Sequence, residues 1–224
     1  MKYFIIHAHH EPKSFNGAML RCAVDTLTGD GHEVRVSDLY AMGFGAVSDR
    51  RNFTTVADAS YLKQQVEETH ASQVGGFAPE ITAEIEKLEW CDVLIFQFPL
   101  WWFGLPGILK SWVDRVFVMG RVYGGGRWYD TGAFVGKRAM AALTTGGPEA
   151  MYQGGGINPL IDHVMGPIEH GMFWFTGFSV LPRFIAWSVA RVEQSERTQI
   201  LERYAAHLRA TYHNPGLAPP KAAG

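Results

Sequence analysis

Apolar residues along this chain follow two alternating rhythms. Short, nearly unbroken runs stand at 2–8 (KYFIIHA), 33–39 (EVRVSDL), 92–99 (DVLIFQFP), 138–146 (RAMAALTTG) and 177–187 (GFSVLPRFIAW). Those at 3–6 and 93–98 have almost no polar interruption, as in parallel strands covered on both faces. Between the runs, apolar residues recur at helical spacing. Ala18, Met19, Cys22, Ala23 and Leu27 mark a helix over 16–28, and Ile81, Ile85 and Leu88 mark one over 79–90 that opens on Pro79. Pro106 starts another through Ile108, Leu109, Trp112, Val113 and Val116, and residues 193–212 form a last amphipathic helix. A proline fits the first helical turn because its missing N–H is unpaired there anyway.

Strands alternating with helices predict a doubly wound α/β fold. The stretch 40–78 is read as a long, irregular connection, a length that usually has a functional or interface role. The 224 residues, 47% hydrophobic and 13% aromatic, suit one large core. A single domain over 1–212 is expected, followed by a loose Pro-, Gly- and Ala-rich tail over 213–224.

Charge narrows the partners. Twenty Lys and Arg stand against 22 Asp and Glu, with no basic run. Nucleic acid and anionic membrane therefore have no electrostatic footprint. Only Cys22 and Cys91 are present, so buried thiols are simpler than a disulfide framework. The first residues lack the long apolar region of a signal peptide, and no apolar stretch reaches the roughly 18 residues that span a bilayer. A cytoplasmic protein without a transmembrane segment is expected.

In such sheets, ligands bind beyond the carboxyl ends of the strands, where strand order reverses. That rule selects HAHHEPKSFN (7–16), FPLWWFG (98–104) and TTGGPEAMY (144–152). The middle loop places Trp101, Trp102 and Phe103 at a chain reversal, where small and polar residues are usual. Such aromatics lie against protein core or against a bound planar ring. Gly146 and Gly147 let backbone N–H groups approach a ligand, although a plain strand-ending turn has the same look. Ser14 or Asn16 can cap the first helix, whose end also attracts phosphate.

Several chemistries are disfavoured. No GxGxxG follows the first strand, and no P-loop or G-x-S-x-G elbow occurs. His7, His9 and His10 lack a Cys or HExxH partner, so hydrogen bonding outweighs a metal site and no metal is expected. RVYGGGRWYD (121–130) and MYQGGGIN (151–158) read either as mobile surface loops or as adjustable pocket walls.

The motifs AHHEPKSFNGAM, SDLYAMGF, IFQFPLWWFGLPGILKSWVDRVF, TTGGPEAMY, GPIEHGMFWFTGF and RTQILERY occur together in this order. With them the chain resembles the flavin-dependent NAD(P)H:quinone oxidoreductases of the DT-diaphorase type over about residues 2–212. The resemblance implies a flavodoxin-like, doubly wound, five-stranded parallel sheet with helices on both faces. It implies FAD in preference to FMN, with NADPH or NADH as co-substrate, a quinone or similar flat acceptor, and a homodimer that shares its active sites.

The resemblance also implies roles. His9, Ser14, Phe15 and Asn16 would surround the flavin's phosphates and ribityl chain. Pro99, Leu100, Trp101, Trp102 and Phe103 would run along its ring, and Thr144, Thr145, Gly146, Gly147 and Tyr152 would close the far side. Arg197 would reach the adenylate end. Trp102, Phe103, Tyr123 and Phe178 would line the substrate pocket. Tyr152, Gly146, Gly147 and Asn158 would meet the charge that develops in catalysis. The sequence departs from the family in having Asn158 and Arg191 where pocket histidines are usual, Gly125 in place of a pocket Tyr, and Asp114 in place of Glu. A rival reading is a flavin-binding accessory subunit that regulates a membrane cation-efflux system, with 40–78 as its docking surface.

Overall fold

The computed structural model describes residues 1–216. Of the segment read as a loose tail, 217–224 lies outside the described residues. Six strands form one sheet: β1 (Lys2–His7), β2 (Glu33–Asp38), β3 (Val93–Pro99), β4 (Arg138–Thr144), β5 (Ser179–Val180) and β6 (Phe184–Ala186). The order is β2-β1-β3-β4, with β5 and β6 both paired to β4 and every pairing parallel. The run 177–187 therefore enters the sheet as two short pieces, because Pro182 between them has no N–H to give a ladder.

Alternation along the central strands sends side chains to two cores. Tyr3 and Ile5 of β1, with Val93 and Ile95 of β3, face α1 (Phe15–Gly29) and α6 (Gln194–Ala210), meeting Met19, Leu27, Ile200, Tyr204 and Leu208. Phe4, Ile6, Leu94, Phe96 and Phe98 face α3 (Pro79–Trp90), α4 (Gly107–Val116) and α5 (Ile161–Ile168). Trp112 of α4 is fully buried there, its indole N–H donating to Glu84 Oε2 at 2.8 Å.

The connection 40–78 is more regular than its sequence suggests. It contains α2 (Gln64–Val74), closed by Gly75 in the left-handed region at φ 70°. Periodicity missed α2 because its inward face is polar: Glu67 and Glu68 are buried in place of apolar residues. Arg115 ties the excursion to α4, donating to Asn52 Oδ1 and to the Gly45 carbonyl at 2.8 Å each and pairing with Glu80. Of its apolar residues, Phe77 is buried and Phe53 packs on the core, whereas Val56, Tyr61 and Val66 stay exposed.

Candidate active site

Three loops at the carboxyl end of the sheet converge on one residue. Thr144, the last of β4, accepts a hydrogen bond at Oγ1 from Asn16 Nδ2 at 2.9 Å. Its carbonyl accepts the Leu100 N–H at 2.8 Å. Gln97 of β3 donates through Nε2 to the Asn16 carbonyl at 2.7 Å. The first, third and fourth strand ends are thus locked to one another beneath a cavity of about 710 Å³. That is within the range of small-molecule and cofactor sites.

The first loop forms the cavity's phosphate-like corner. Ser14 caps α1, its hydroxyl accepting the Gly17 N–H at 3.1 Å. Gly17 is required, because a Cβ there would stand 2.0 Å from the Pro12 carbonyl oxygen. His9 Nδ1 stands 3.0 Å from the Glu11 N and 3.2 Å from the Glu11 carbonyl oxygen, so Glu11 fixes the ring's orientation. Burial, and His10 stacked on it at 4.7 Å, hold His9 below the usual imidazole range. It is therefore a neutral donor near neutral pH. Lys13, Phe15 and Asn16 also line the cavity.

The second loop answers the question raised by its aromatics. Trp101 and Gly104 pair across a two-residue turn, N–H to carbonyl in both directions at 3.3 and 3.0 Å. The central residues, Trp102 and Phe103, have φ of 52° and 58°. Two positive φ values are what a type I′ turn requires and what glycine or asparagine usually supplies. A side chain in that conformation costs of order 1–2 kcal/mol. Trp102 is nevertheless 97% exposed, so packing within the chain does not offset the strain. Backbone strain unrelieved by packing is characteristic of ligand-contact segments. Pro99, Leu100 and Trp101 line the cavity itself.

In the third loop, Thr145 Oγ1 donates to the Gly147 carbonyl at 2.8 Å and fixes the turn. Thr145 and Gly146 line the cavity. Gly147 is confined by Met151, whose sulfur would lie 3.0 Å from an added Cβ. Tyr152 stands between Phe103 and Trp187, with ring centroids 6.2 and 5.4 Å away. The segment reaching Asn158 is closed, not slack: Asn158 N–H donates to the Met151 carbonyl at 2.9 Å, and Gly156 has no room for a Cβ. The earlier glycine loop is also braced, by Arg127 donating to the Gly120 and Gly124 carbonyls.

The far wall belongs to α6. Arg197 lines the cavity and is steadied by donating through Nε to the Val189 carbonyl at 3.1 Å, with no partner for its two terminal nitrogens among the described residues. Gln194 and Leu201, which sequence reasoning missed, share this face. Their spacing of three and four residues from Arg197 was the available signal. Lys13 was missed although it lies inside a quoted motif.

None of the four residues assigned to the substrate pocket lines this cavity: Trp102 and Phe103 sit on the exposed turn beside Trp101. Phe178 is fully buried and stacked on Phe134 at 4.6 Å. Tyr123 lies at a second cavity of about 480 Å³ beside α2. Asp114 forms an ion pair with Lys110 at 2.6 Å. Both cysteines are free, and burial pushes the Cys91 thiol up to about 12. Among the described residues no three metal-ligating side chains gather, and no helix is long and apolar enough to cross a membrane.

The cavity suits a flavin. A helix N-terminus and the cations Lys13 and Arg197 meet the needs of phosphate, the aromatic turn offers flat apolar surface, and the buried Asn16 Oδ1 has no partner among the described residues.

Comparison with known proteins agrees with this chemistry. A family described by its flavodoxin-like fold matches residues 1–210. NAD(P)H dehydrogenase [quinone] 1 of Rattus norvegicus is 39% identical over 214 residues, covering 95% of this chain and 78% of the relative. Ribosyldihydronicotinamide dehydrogenase [quinone] of Homo sapiens is 37% identical over 212 residues, 94% of this chain and 92% of the relative. A crystal structure from Klebsiella pneumoniae, provisionally named a quinone reductase, superposes with a TM-score of 0.92 at 39% identity, covering 95% of this chain and 85% of that one.

Proposed function

We infer the function from one premise: the chain belongs to the flavodoxin-like family that matches residues 1–210. It is a flavin-dependent NAD(P)H:quinone oxidoreductase. The observation that carries the reading is the single cavity onto which a helix N-terminus, an aromatic turn, a glycine turn and an α6 arginine all open. When bound, the flavin supplies a reversible two-electron store, filled by hydride from NAD(P)H and emptied into a quinone that uses the same place in turn.

The finer assignments are our proposal. The cofactor is FAD, because the cavity extends past the α1 N-terminus to Gln194, Arg197 and Leu201 of α6, room that an adenylate half would occupy. His9, the first turn of α1 and Lys13 hold the phosphates. Trp101, Trp102 and Phe103 keep water from one face of the ring and orient it. The amides of Gly146 and Gly147 and the Tyr152 hydroxyl are the donors aimed at negative charge that grows during reduction. Asn158 adds an amide donor but cannot become a cation. Tyr123 reaches the acceptor pocket of a second copy in a homodimer, and the exposed Trp102, Tyr61 and Val66 belong to the face that copy covers. A cytoplasmic location is consistent with two free cysteines.

The regulatory-subunit reading finds no support in the relatives, which carry enzyme names. One experiment tests the whole. The purified protein is stripped of its ligand, the released flavin is identified, and NAD(P)H oxidation is followed with and without a quinone. Expected are FAD and quinone-dependent turnover without any partner protein. A protein that binds neither FAD nor FMN at micromolar concentration overturns the reading.

A further inference from the structure

A short strap crosses the glycine turn. It runs from Ala186, the last residue of β6, to Val189, and both ends are tied down. The Ala186 carbonyl accepts the Thr145 N–H at 3.0 Å. The Val189 carbonyl accepts Arg197 Nε at 3.1 Å. Between them, the Trp187 ring stands 5.4 Å from that of Tyr152. Ser188 has a φ of 53°, the left-handed region that a residue with a Cβ rarely enters. In that conformation its N–H reaches Thr145 Oγ1 at 3.4 Å. Strain of this kind persists only where the surroundings hold it, and it gathers where the chain positions something.

What the strap holds is the Thr145 hydroxyl. Thr145 is 3% exposed. A hydroxyl has one proton to give and two lone pairs. The Ser188 N–H meets the oxygen from one side, and the proton goes to the Gly147 carbonyl at 2.8 Å. That bond draws the Gly147 carbonyl back toward the buried Thr145. The same peptide joins Gly147 to Pro148, whose nitrogen bears no hydrogen. The turn is left with the N–H groups of Gly146 and Gly147, and neither has a partner among the described residues.

This sorting matters electrostatically. A carbonyl oxygen facing the cofactor would oppose negative charge that grows there, whereas N–H donors favour it. Gly147 is only half-buried and has no side chain to hold its peptide plane. Without the Thr145 hydroxyl, its carbonyl loses its partner and is free to rotate toward the cavity.

We propose that Thr145 is a positioning residue for flavin reduction: its hydroxyl, held by the Ser188 strap, turns the Gly147 carbonyl away from the cofactor so that the glycine turn presents donors alone. This rests on the assignment of the Gly146 and Gly147 amides made above. Thr145 acts through the turn, and no bond forms or breaks at its side chain.

The test compares Thr145→Val, which keeps the branched shape without the hydroxyl, with Thr145→Ser, which keeps the hydroxyl. The two-electron midpoint potential is measured by spectroelectrochemical titration of each flavin-loaded protein. In each apoprotein, the carbonyl-carbon resonance of Gly147 is followed by NMR with isotope-labelled glycine. Thr145→Val should bind oxidised flavin within about threefold of wild type and reduced flavin about tenfold more weakly, a fall of about 30 mV in potential. Its Gly147 resonance should move to that of a carbonyl without a hydrogen bond. Thr145→Ser should return both readings close to wild type. Thr145→Ala, which removes the hydroxyl without placing another methyl group in the buried site, repeats the comparison if the valine variant does not fold. A Gly147 resonance that stays in place without the hydroxyl overturns the role of Thr145 and leaves the assignment of the amides standing. A moved resonance with an unaltered potential overturns that assignment and the proposal with it.

Discussion

Arg197 offers the sharpest test of which flavin this protein takes. Its Nε is engaged by the Val189 carbonyl, so the side chain is already steered along the cavity wall and the two terminal nitrogens are left to grip a ligand. Truncation in Arg197→Ala removes the charge-assisted bonds those nitrogens would give to the adenylate half of FAD. A hydrogen bond to a charged group is worth about 1.5–3 kcal/mol. Arg197 is only half-buried, and solvent screening places the effect toward the lower part of that range. The dissociation constant for FAD should rise about ten- to thirtyfold. FMN, which has no adenylate half, should change less than about twofold. Arg197→Lys should recover part of the loss and raise its salt sensitivity, since an ammonium keeps the charge but not the bidentate fork. Flavin fluorescence quenching on titration of apoprotein with each cofactor measures both constants. Equal loss of FAD and FMN would show that Arg197 acts by holding the 187–192 loop through Val189 and not by contact with adenylate. No loss of either would reduce it to a surface charge on α6.

Other consequences can be checked independently. Tyr152→Phe should slow reduction of the bound flavin by NAD(P)H in stopped flow about ten- to a hundredfold with little change in flavin affinity, as expected for a donor that strengthens only as charge develops; a wild-type rate would make Tyr152 a wall only. Asn158→His should raise that rate, because an imidazole can take up a proton that an amide cannot; an unchanged rate would mean that the closed Met151–Asn158 turn keeps the side chain from the ring. His7 is almost fully buried, and desolvation, the largest cause, lowers it from 6.5 to about 4. A group depressed in this way leaves the folded state unprotonated where the unfolded chain binds a proton, so stability is retained above pH 6.5 and lost as pH falls toward 4. The loss approaches roughly 3 kcal/mol. Urea unfolding across that window should show it in wild type and not in His7→Leu, and parallel curves would contradict the burial argument. Light scattering at assay concentration should give a dimer, and a fully active monomer would refute the shared pocket.

The sequence determined the fold class and most of the cleft, for reasons that lie in its local patterns. Unbroken apolar runs at 3–6 and 93–98 already required a sheet buried on both faces, and the strand-end rule then pointed to 7–16, 98–104 and 144–152. Thr144 was legible as a loop residue, and Arg197 through resemblance to a family. Neither could be read as what the tertiary structure makes of it. That Thr144 locks three loops together depends on bonds to Asn16 and Leu100, residues 128 and 44 positions away. The strain at Trp102 and Phe103 is invisible in composition, because nothing in two aromatic letters announces a positive φ. The segment 40–78 was misread as irregular since α2 buries carboxylates where a helix normally buries carbons, and periodicity counts only carbons. The same exchange hid Glu68. A sequence fixes which groups are available and which face of an element they share. Only the packing of α2 against the turn at Met119 decides that one of them is buried, with no counter-charge among the described residues, and accepts the Met119 N–H.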